Sequence, residues 1–422
     1  MNSNNVKYLD LGLNCNFFSA SPQDNPRYMN NRQLFSEHLG QTSEFPLALE
    51  IERAEGLYMY DRQDKPYMDL ISGIGVSSVG HRHPNIIRAI HEQTNKYLHL
   101  MVYGEFVEAP QVQLAKALSD TLPAHLNNVF LVNSGSEATE GALKLAKRHT
   151  GKRKIISCID AYHGSTSGAL SVCGSEDLKN PFRPLIPETF RIGFGVTADL
   201  DTIDEHTAAV IIEPIQGEAG IRMAPKTYFE TLRKRCDEVG ALLIYDEVQC
   251  GVGRTGKFWA FEHFGVAPDI VLCAKGIGGG MPIGAFIASK EIMHSLTHNP
   301  ILGHISTFGG HPVSAAAALA TVNLLTQSDL ISQSPAKGEL FKKLLKHDKI
   351  QEVRGIGLML AVTFESFDFL KALIDQLLKD GYLTDWFLFC DNSMRIAPPL
   401  TIQEEDIKKA CSAILQAIHT VS

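Results

Sequence analysis

The chain lacks most of what would mark a membrane, secreted or nucleic-acid-binding protein. None of its 422 residues falls in a run near the roughly 18 uninterrupted apolar positions that a membrane-spanning helix needs. Met1 to Asn16 is polar and Asn-rich, without the basic start and apolar run of a secretory signal. There are eight cysteines (Cys15, Cys158, Cys173, Cys236, Cys250, Cys273, Cys390 and Cys411), and none forms a Cys-x-x-Cys pair. Several lie in apolar runs such as Val271-Leu272-Cys273-Ala274, the usage of small buried residues in a reducing compartment rather than of a disulfide scaffold or zinc site. A cytoplasmic protein without a metal is expected. Basic residues are not in excess: 39 Lys+Arg against 47 Asp+Glu give a net charge of −8, so bulk attraction to nucleic acid or anionic lipid is absent. His81 and His83 have no acidic or Cys ligand spaced with them and read as structural. No internal repeat or low-complexity tract is visible.

What is present is an ordinary globular balance, 44% hydrophobic and 20% charged, in a length that suits one large domain with an accessory one. From Val129 onward, short apolar runs alternate with helical patterns. Strands are expected at Val129 to Val132, Lys154 to Cys158, Ala208 to Ile212, Ala241 to Tyr245, Ile270 to Cys273 and Gly284 to Ala288, with helices at Glu137 to His149 and Lys226 to Val239. Continuously apolar strands separated by helices indicate a mostly parallel sheet covered on both faces, an α/β class. The expected division is an N-terminal extension over 1–40, the first part of a small domain over 41–75, a large domain over 76–315 and the rest of the small domain over 316–422. The small domain reads as α+β and draws on both chain ends, with helical patterns at Ser314 to Leu325, Phe367 to Lys379 and Glu404 to His419.

Four features carry chemistry. Asn133-Ser134-Gly135-Ser136-Glu137-Ala138 lies where a strand hands over to a helix; free amides, a glycine and hydroxyls there make an anion site, or Ser134 or Ser136 simply caps the helix. Asp246 follows the apolar run Ala241 to Ile244, at the strand end where parallel sheets bind ligands, or it caps the next element. Lys275 follows the strand Ile270 to Cys273 and precedes Gly276-Ile277-Gly278-Gly279-Gly280. It is either an amine nucleophile at a crevice mouth or a surface lysine beside a turn. Thr307, in Thr307-Phe308-Gly309-Gly310-His311-Pro312, offers a hydroxyl before a helix whose first turn suits Pro312. Together they supply a phosphate cradle, a carboxylate, a lysine and a second hydroxyl, the set that pyridoxal phosphate needs. Gly251-Val252-Gly253-Arg254-Thr255-Gly256 matches the dinucleotide fingerprint, but Asp246 to Cys250 separate it from its strand and Gly265 and Pro268 soon interrupt the next segment, against a nicotinamide site.

With these residues in place the chain resembles the class III, or ω-amino-acid type, pyridoxal-phosphate-dependent aminotransferases, from about residue 45 to 415. The resemblance rests on Ser72-Gly73-Ile74, Gly80 to Pro84, Asn133 to Ala138, Tyr162-His163-Gly164, Glu213-Pro214-Ile215-Gln216-Gly217-Glu218, Asp246 to Gln249 leading into Gly253 to Gly256, Ala274-Lys275-Gly276, Thr307 to Pro312, and Arg395-Ile396-Ala397-Pro398-Pro399-Leu400. It implies the fold type I of pyridoxal-phosphate-dependent transferases. It also implies roles: Lys275 would hold pyridoxal 5'-phosphate as a Schiff base and Asp246 would keep the ring nitrogen protonated. Gly135 and Ser136 would bind the phosphate, Tyr162 would stack on the ring and Gln249 would hydrogen-bond its hydroxyl. Thr307 would reach the phosphate of the neighbouring subunit, making a homodimer with shared active sites. Arg395 would bind a substrate carboxylate, paired with Glu218 when that carboxylate is absent, and Ile74 would touch substrate.

The implied reaction moves an amino group, by a ping-pong route, from a terminal amine to a 2-oxo acid, with 2-oxoglutarate expected. Ser165 stands where many acetylornithine, ornithine and 4-aminobutyrate enzymes carry Arg, so that guanidinium fork is missing. Putrescine aminotransferases lack it too, and Ser167 to Ser171 is similar to them. Ile74 is instead what acetylornithine and 4-aminobutyrate enzymes tend to have. The donor class therefore stays open among these at the level of sequence. An aminomutase and a non-catalytic cofactor-binding protein are the alternatives on the same scaffold.

Overall fold

A computed structural model describes residues 30–101 and 104–422. It divides into two compact units after Glu52. In the first unit the helix Asn31–His38 starts on a reciprocal cap: Asn30 Oδ1 accepts from the Gln33 amide and Gln33 Oε1 from the Asn30 amide, both at 2.9 Å. The earlier part of the expected extension, 1–29, lies outside the described residues.

The second unit is organised by a seven-stranded sheet. Its strands are β1 Asn128–Val132, β2 Lys154–Cys158, β3 Thr189–Ile192, β4 Thr207–Ile212, β5 Leu242–Asp246, β6 Ile270–Ala274 and β7 Gly284–Ala288, in the spatial order β1-β7-β6-β5-β4-β2-β3. Strand β7 is antiparallel to both its neighbours, and all the other pairs are parallel. Being antiparallel to β7 on either side, β1 and β6 point the same way, so β1 to β6 end on one edge.

Successive residues of the inner strands feed two separate cores. Val210, Ile212, Leu243, Tyr245, Val271 and Cys273 enter one; Ala209, Ile211, Ile244, Ile270 and Leu272 enter the other. Helix α1 (Gly135–Thr150) covers the second face with Ala138, Ala142, Leu145 and Ala146. Helix α2 (Lys226–Val239) covers the first with Tyr228, Phe229, Leu232 and Cys236. Burial on both faces is why the strands read as unbroken apolar runs. The observed bounds of these elements lie within two residues of those expected. Strand β3 was not anticipated: it is an edge, with Phe190 46% exposed and Arg191 paired to Glu176 at 2.6 Å, so it lacks the apolar run.

Segments before and after the large sheet in the sequence pair with each other. Strand Tyr382–Leu383 pairs in parallel with Pro66–Asp69, which is antiparallel to Tyr58–Asp61. A four-stranded antiparallel sheet combines Glu352–Ile356, Met359–Thr363, Cys390–Ile396 and Trp386–Phe387, and helices Phe367–Lys379 and Glu404–Val421 pack beside it. The helix Leu330–Leu344 escaped the sequence pattern because Pro335 and Gly338 lie inside it. Gly338 is needed where it is, since a Cβ there would run into the Gly357 carbonyl.

The glycines of Gly251 to Gly256 open no helix; Gly253 and Gly256 take φ of 87° and 94°, and only a short 3₁₀ turn, Ala260–His263, comes after them. Arg254 among them is buried, donating to Ser78 Oγ and the Leu358 carbonyl at 3.2 Å each and to the Pro398 carbonyl, which ties the sheet to the C-terminal segment. His81 pairs with buried Asp69 at 2.9 Å and His83 caps the helix Pro84–Thr94, the structural roles expected of both. The seven described cysteines are free; Cys390 is half-buried and the others are buried, while Cys15 lies outside the described residues. Among the described residues no helix is long and apolar enough to cross a membrane, and no His, Cys, Asp or Glu cluster could hold a metal.

Candidate active site

The shared edge of β1 to β6 brings together residues far apart in the chain. After β1 come Asn133 to Ser136, after β2 Tyr162 and His163, and after β4 Glu213; Asp246 ends β5 and Lys275 follows β6. All of them line one cavity of about 440 Å³, with Val248, Gln249 and Met281 completing its wall.

At one end the start of α1 forms a cradle. Ser134 is the cap, its Oγ accepting from the Glu137 amide at 3.2 Å, so the capping alternative holds for this serine. The amides of Gly135 and Ser136 belong to the first turn, where a helix leaves N–H groups without intrahelical partners. A Cβ on Gly135 would stand 3.0 Å from Val248 Cγ1, so the cradle floor is tight against this valine. Ser136 Oγ accepts from the Ser165 amide at 3.3 Å.

Asp246 is 4% exposed and doubly held. His163 Nδ1 donates to its Oδ2 at 2.8 Å, and the Val248 amide to its Oδ1 at 3.0 Å. Behind it Glu213 accepts from the Tyr162 amide at 3.0 Å and the Gly217 amide at 2.8 Å. Burial pushes its acid up to about 7, with Asp246 adding to the rise and His163 opposing it. Lys275, opening a short 3₁₀ turn at the strand end with φ of 46°, is held in left-handed backbone that costs a non-glycine residue on the order of 1 kcal/mol. Removal from water lowers its ammonium pKa, and nearby Glu218, Asp246 and Glu213 restrain the fall. Tyr162 forms a wall of the cavity, its hydroxyl 3.0 Å from Ser165 Oγ.

Arg395 lies next to this cavity rather than in it. It lines a small neighbouring space with Ile74, and Gln249 borders both spaces. Its Nη1 and Nη2 each donate to Glu218 at 3.0 Å, its Nε donates to Asp385 at 2.9 Å, and its guanidinium sits 4.5 Å from the centre of the Phe387 ring. Glu218 is also held by Gln249 Nε2 at 2.8 Å and the Leu388 amide at 3.2 Å. Ile74 sits in a left-handed turn, φ 61°, following Gly73 at 59°. Thr307 lines neither space: it lies on an exposed loop, its carbonyl accepting from His99 Nε2 at 2.9 Å.

His163 and Asp385 were given no role from sequence. His163 stands 83 positions from Asp246, and only the parallel strand ends bring them together. Asp385 belongs to no motif and is revealed by the strand pairing that sets it beside Arg395.

A half-buried amine, a buried carboxylate, an aromatic wall and the free amides of a helix start suit a phosphorylated aromatic aldehyde. The donor set fits pyridoxal 5'-phosphate: an amine for the aldehyde, the Gly135-Ser136 cradle for the phosphate, and Asp246 for a protonated ring nitrogen. The family model Aminotransferase class-III matches residues 40–418. The acetylornithine aminotransferase of Methanopyrus kandleri is 40% identical over 93% of this chain and 99% of its own length. The putrescine aminotransferase of Pectobacterium atrosepticum is also 40% identical, over 86% of this chain and 80% of its own. Among solved structures, the ornithine aminotransferase of Toxoplasma gondii superposes with a TM-score of 0.86 at 28% identity, covering 94% of this chain and 96% of that one. The chain belongs to the class-III aminotransferases, which are pyridoxal-phosphate-dependent enzymes, and shares their fold type I.

Proposed function

We propose that this aminotransferase moves an amino group from a terminal amine, on an acetylornithine- or ornithine-like, 4-aminobutyrate-like or diamine donor, to 2-oxoglutarate or a related 2-oxo acid in a ping-pong cycle. The observation that carries the proposal is the placing of Lys275 and Asp246 on one cavity, with Arg395 held in reserve by Glu218 beside it. Bound pyridoxal phosphate would supply an aldehyde to take up the amine and a ring to accept the electrons released when a C–H bond breaks.

The chain's residues do the rest. Lys275 Nζ, favoured as a free amine by its desolvation, would hold the cofactor through its aldehyde and would serve as the base that moves the proton at the donor carbon. Asp246, fixed by His163 and the Val248 amide, would face the ring nitrogen. Gly135 and Ser136 would anchor the phosphate, Tyr162 would cover the ring, and Gln249 would meet the ring hydroxyl. Arg395 and Glu218 divide the two half-reactions. Paired, they present no free cation to a donor lacking a carboxylate; separated, the guanidinium receives the carboxylate of the 2-oxo acid. Ile74 borders this second space and would touch substrate. The donor end has the hydroxyls of Tyr162 and Ser165 in place of a guanidinium, which supports a neutral or cationic distal group.

The homodimer with shared sites belongs to the same proposal. It is supported by Thr307 facing out of its own subunit's cavity, and by a neighbouring apolar hollow of about 550 Å³ bordered by Phe106, Ile301, Leu302 and Ile305, each at least half exposed. A cytoplasmic location is supported by the free thiols. The division into an extension (1–40), a large domain (76–315) and a small domain from both flanks is proposed with it. The experiment is a donor panel with 2-oxoglutarate: ornithine, N-acetylornithine, 4-aminobutyrate, lysine and putrescine. Glutamate formation from one of these supports the reading. Amino-group migration without any 2-oxo acid would replace it with the aminomutase.

A further inference from the structure

Asp385 is a half-buried carboxylate that the proposed cycle does not use, and its surroundings give it a definite task. Arg395 has two carboxylate partners on two different sides. Glu218 takes the end of the guanidinium, Oε1 with Nη1 and Oε2 with Nη2, at 3.0 Å each. Asp385 takes the side, Oδ1 with Nε at 2.9 Å. The backbone repeats the hold: the Arg395 amide donates to the Asp385 carbonyl at 2.9 Å, and Thr384 Oγ1 donates to the Arg395 carbonyl at 2.7 Å. Phe387, two residues further on, lies against the guanidinium. Glu218 has supports of its own in Gln249 and the Leu388 amide, so the two halves of the pair are tethered separately.

A guanidinium receives a carboxylate in bidentate fashion only if its plane is fixed. When Glu218 gives way, the Nη pair keeps only long contacts, to Gln249 Oε1 at 3.3 Å and the Trp386 carbonyl at 3.5 Å, so the shortest remaining hold on Arg395 is Asp385 at Nε, with the Phe387 ring beside it. We propose that Asp385 is the positioning residue for carboxylate recognition, holding Arg395 by Nε so that the Nη pair stays aimed while Glu218 and a substrate carboxylate exchange. The inference rests on the reading of Arg395 as the carboxylate receptor. It requires only the acceptor oxygen of Asp385, so an amide at this position keeps the function.

The test is titration calorimetry of glutarate, an unreactive dicarboxylate, into the cofactor-loaded enzyme, alongside the KM for 2-oxoglutarate in the half-reaction of the pyridoxamine form. Asp385→Ala is expected to weaken glutarate about tenfold and to raise that KM about as much, the loss of one hydrogen bond to a charged group. The limiting rate of the half-reaction stays within about twofold, since Asp385 touches no reacting atom. Asp385→Asn is expected to restore glutarate binding to within about threefold of the wild type. Asp385→Leu, which keeps the volume without an acceptor, takes the place of Ala if Ala does not fold, and the same loss is expected. Arg395→Ala separates the two levels of the argument. If it abolishes glutarate binding while Asp385→Ala and Asp385→Leu bind as the wild type does, the positioning role is wrong and the receptor stands. A fall in rate with KM unchanged, or an Asn variant as poor as Ala, also overturns the positioning role. If Arg395→Ala binds glutarate normally, or the wild type binds none, the receptor reading itself fails and takes this one with it.

Discussion

Removing the guanidinium of Arg395 tests the division of the two half-reactions. In Arg395→Ala the acceptor loses a bidentate partner, two charge-assisted hydrogen bonds of about 1.5–3 kcal/mol each before the cost of parting from Glu218. Because the arginine must leave Glu218 to bind substrate, roughly half of that sum survives as net affinity, about 1.5–3 kcal/mol, or about 10- to 150-fold in kcat/KM. A diamine donor makes no use of the guanidinium and should lose no more than about threefold. The variant also leaves Glu218 and Asp385, 5% and 27% exposed at their side chains, without their shared cation, so its stability should fall by about 3 kcal/mol. Arg395→Lys keeps the charge without the fork and belongs between the two. The assay follows each half-reaction separately by the absorbance of the bound cofactor, the donor with the aldehyde form and 2-oxoglutarate with the amine form, with a thermal melt for each variant. Equal losses in both half-reactions would refute the reasoning, because they would make Arg395 a general support of the site.

Lys275→Ala should abolish turnover while the fold persists, because the side chain lines a cavity rather than filling a core; borohydride should label the wild type at Lys275 and leave the variant unlabelled. Substantial residual transamination in the variant would contradict the assignment. Asp246→Asn removes the charge and leaves a single acceptor for the two donors His163 Nδ1 and the Val248 amide, so kcat should drop about 10²- to 10³-fold with binding of the cofactor weakened; an unchanged kcat would show that the carboxylate's charge is not used. Glu213 and Glu247 both have their acids raised by burial from 4.5 to about 7. The unfolded chain gives up these protons near pH 4.5 and the folded chain keeps them to about pH 7. Stability from these groups is therefore full below pH 4.5 and lost as pH rises to 7, by at most about 3 kcal/mol each. Urea unfolding at a series of pH values reads this directly, and a contribution from these groups that grew between pH 5 and 7 would be the wrong sign.

The large sheet was legible because it is buried on both faces. Strands β2 and β7 could be bounded to the residue by their apolar runs, whereas β3, with one side open to solvent, left no pattern. The site was legible for a related reason. Asp246 and Lys275 stand at the ends of apolar runs, so knowing that the strands are parallel was enough to put both on one edge. The same logic could not reach His163 as the partner of Asp246, since a histidine in a loop after one strand says nothing of which strand lies next to it; the order β5-β4-β2 decides that.

Asp385 is illegible for a deeper reason. Its strand neighbourhood is irregular, with the register shifting between Trp386 and Phe387, and that irregularity turns the chain back so that a residue ten positions before Arg395 meets its side chain. Local spacing thus predicts residues that act at strand ends, and fails for those whose place is set by a break in the ladder. The consequence bears on substrate choice. The groups proposed to hold the cofactor stand on the regular sheet edge, while those proposed to sort carboxylates, Arg395, Glu218 and Asp385, meet through the irregular C-terminal segment. Substitutions between Thr384 and Phe389 are therefore predicted to change which acids and amines are accepted without disturbing Lys275 or Asp246.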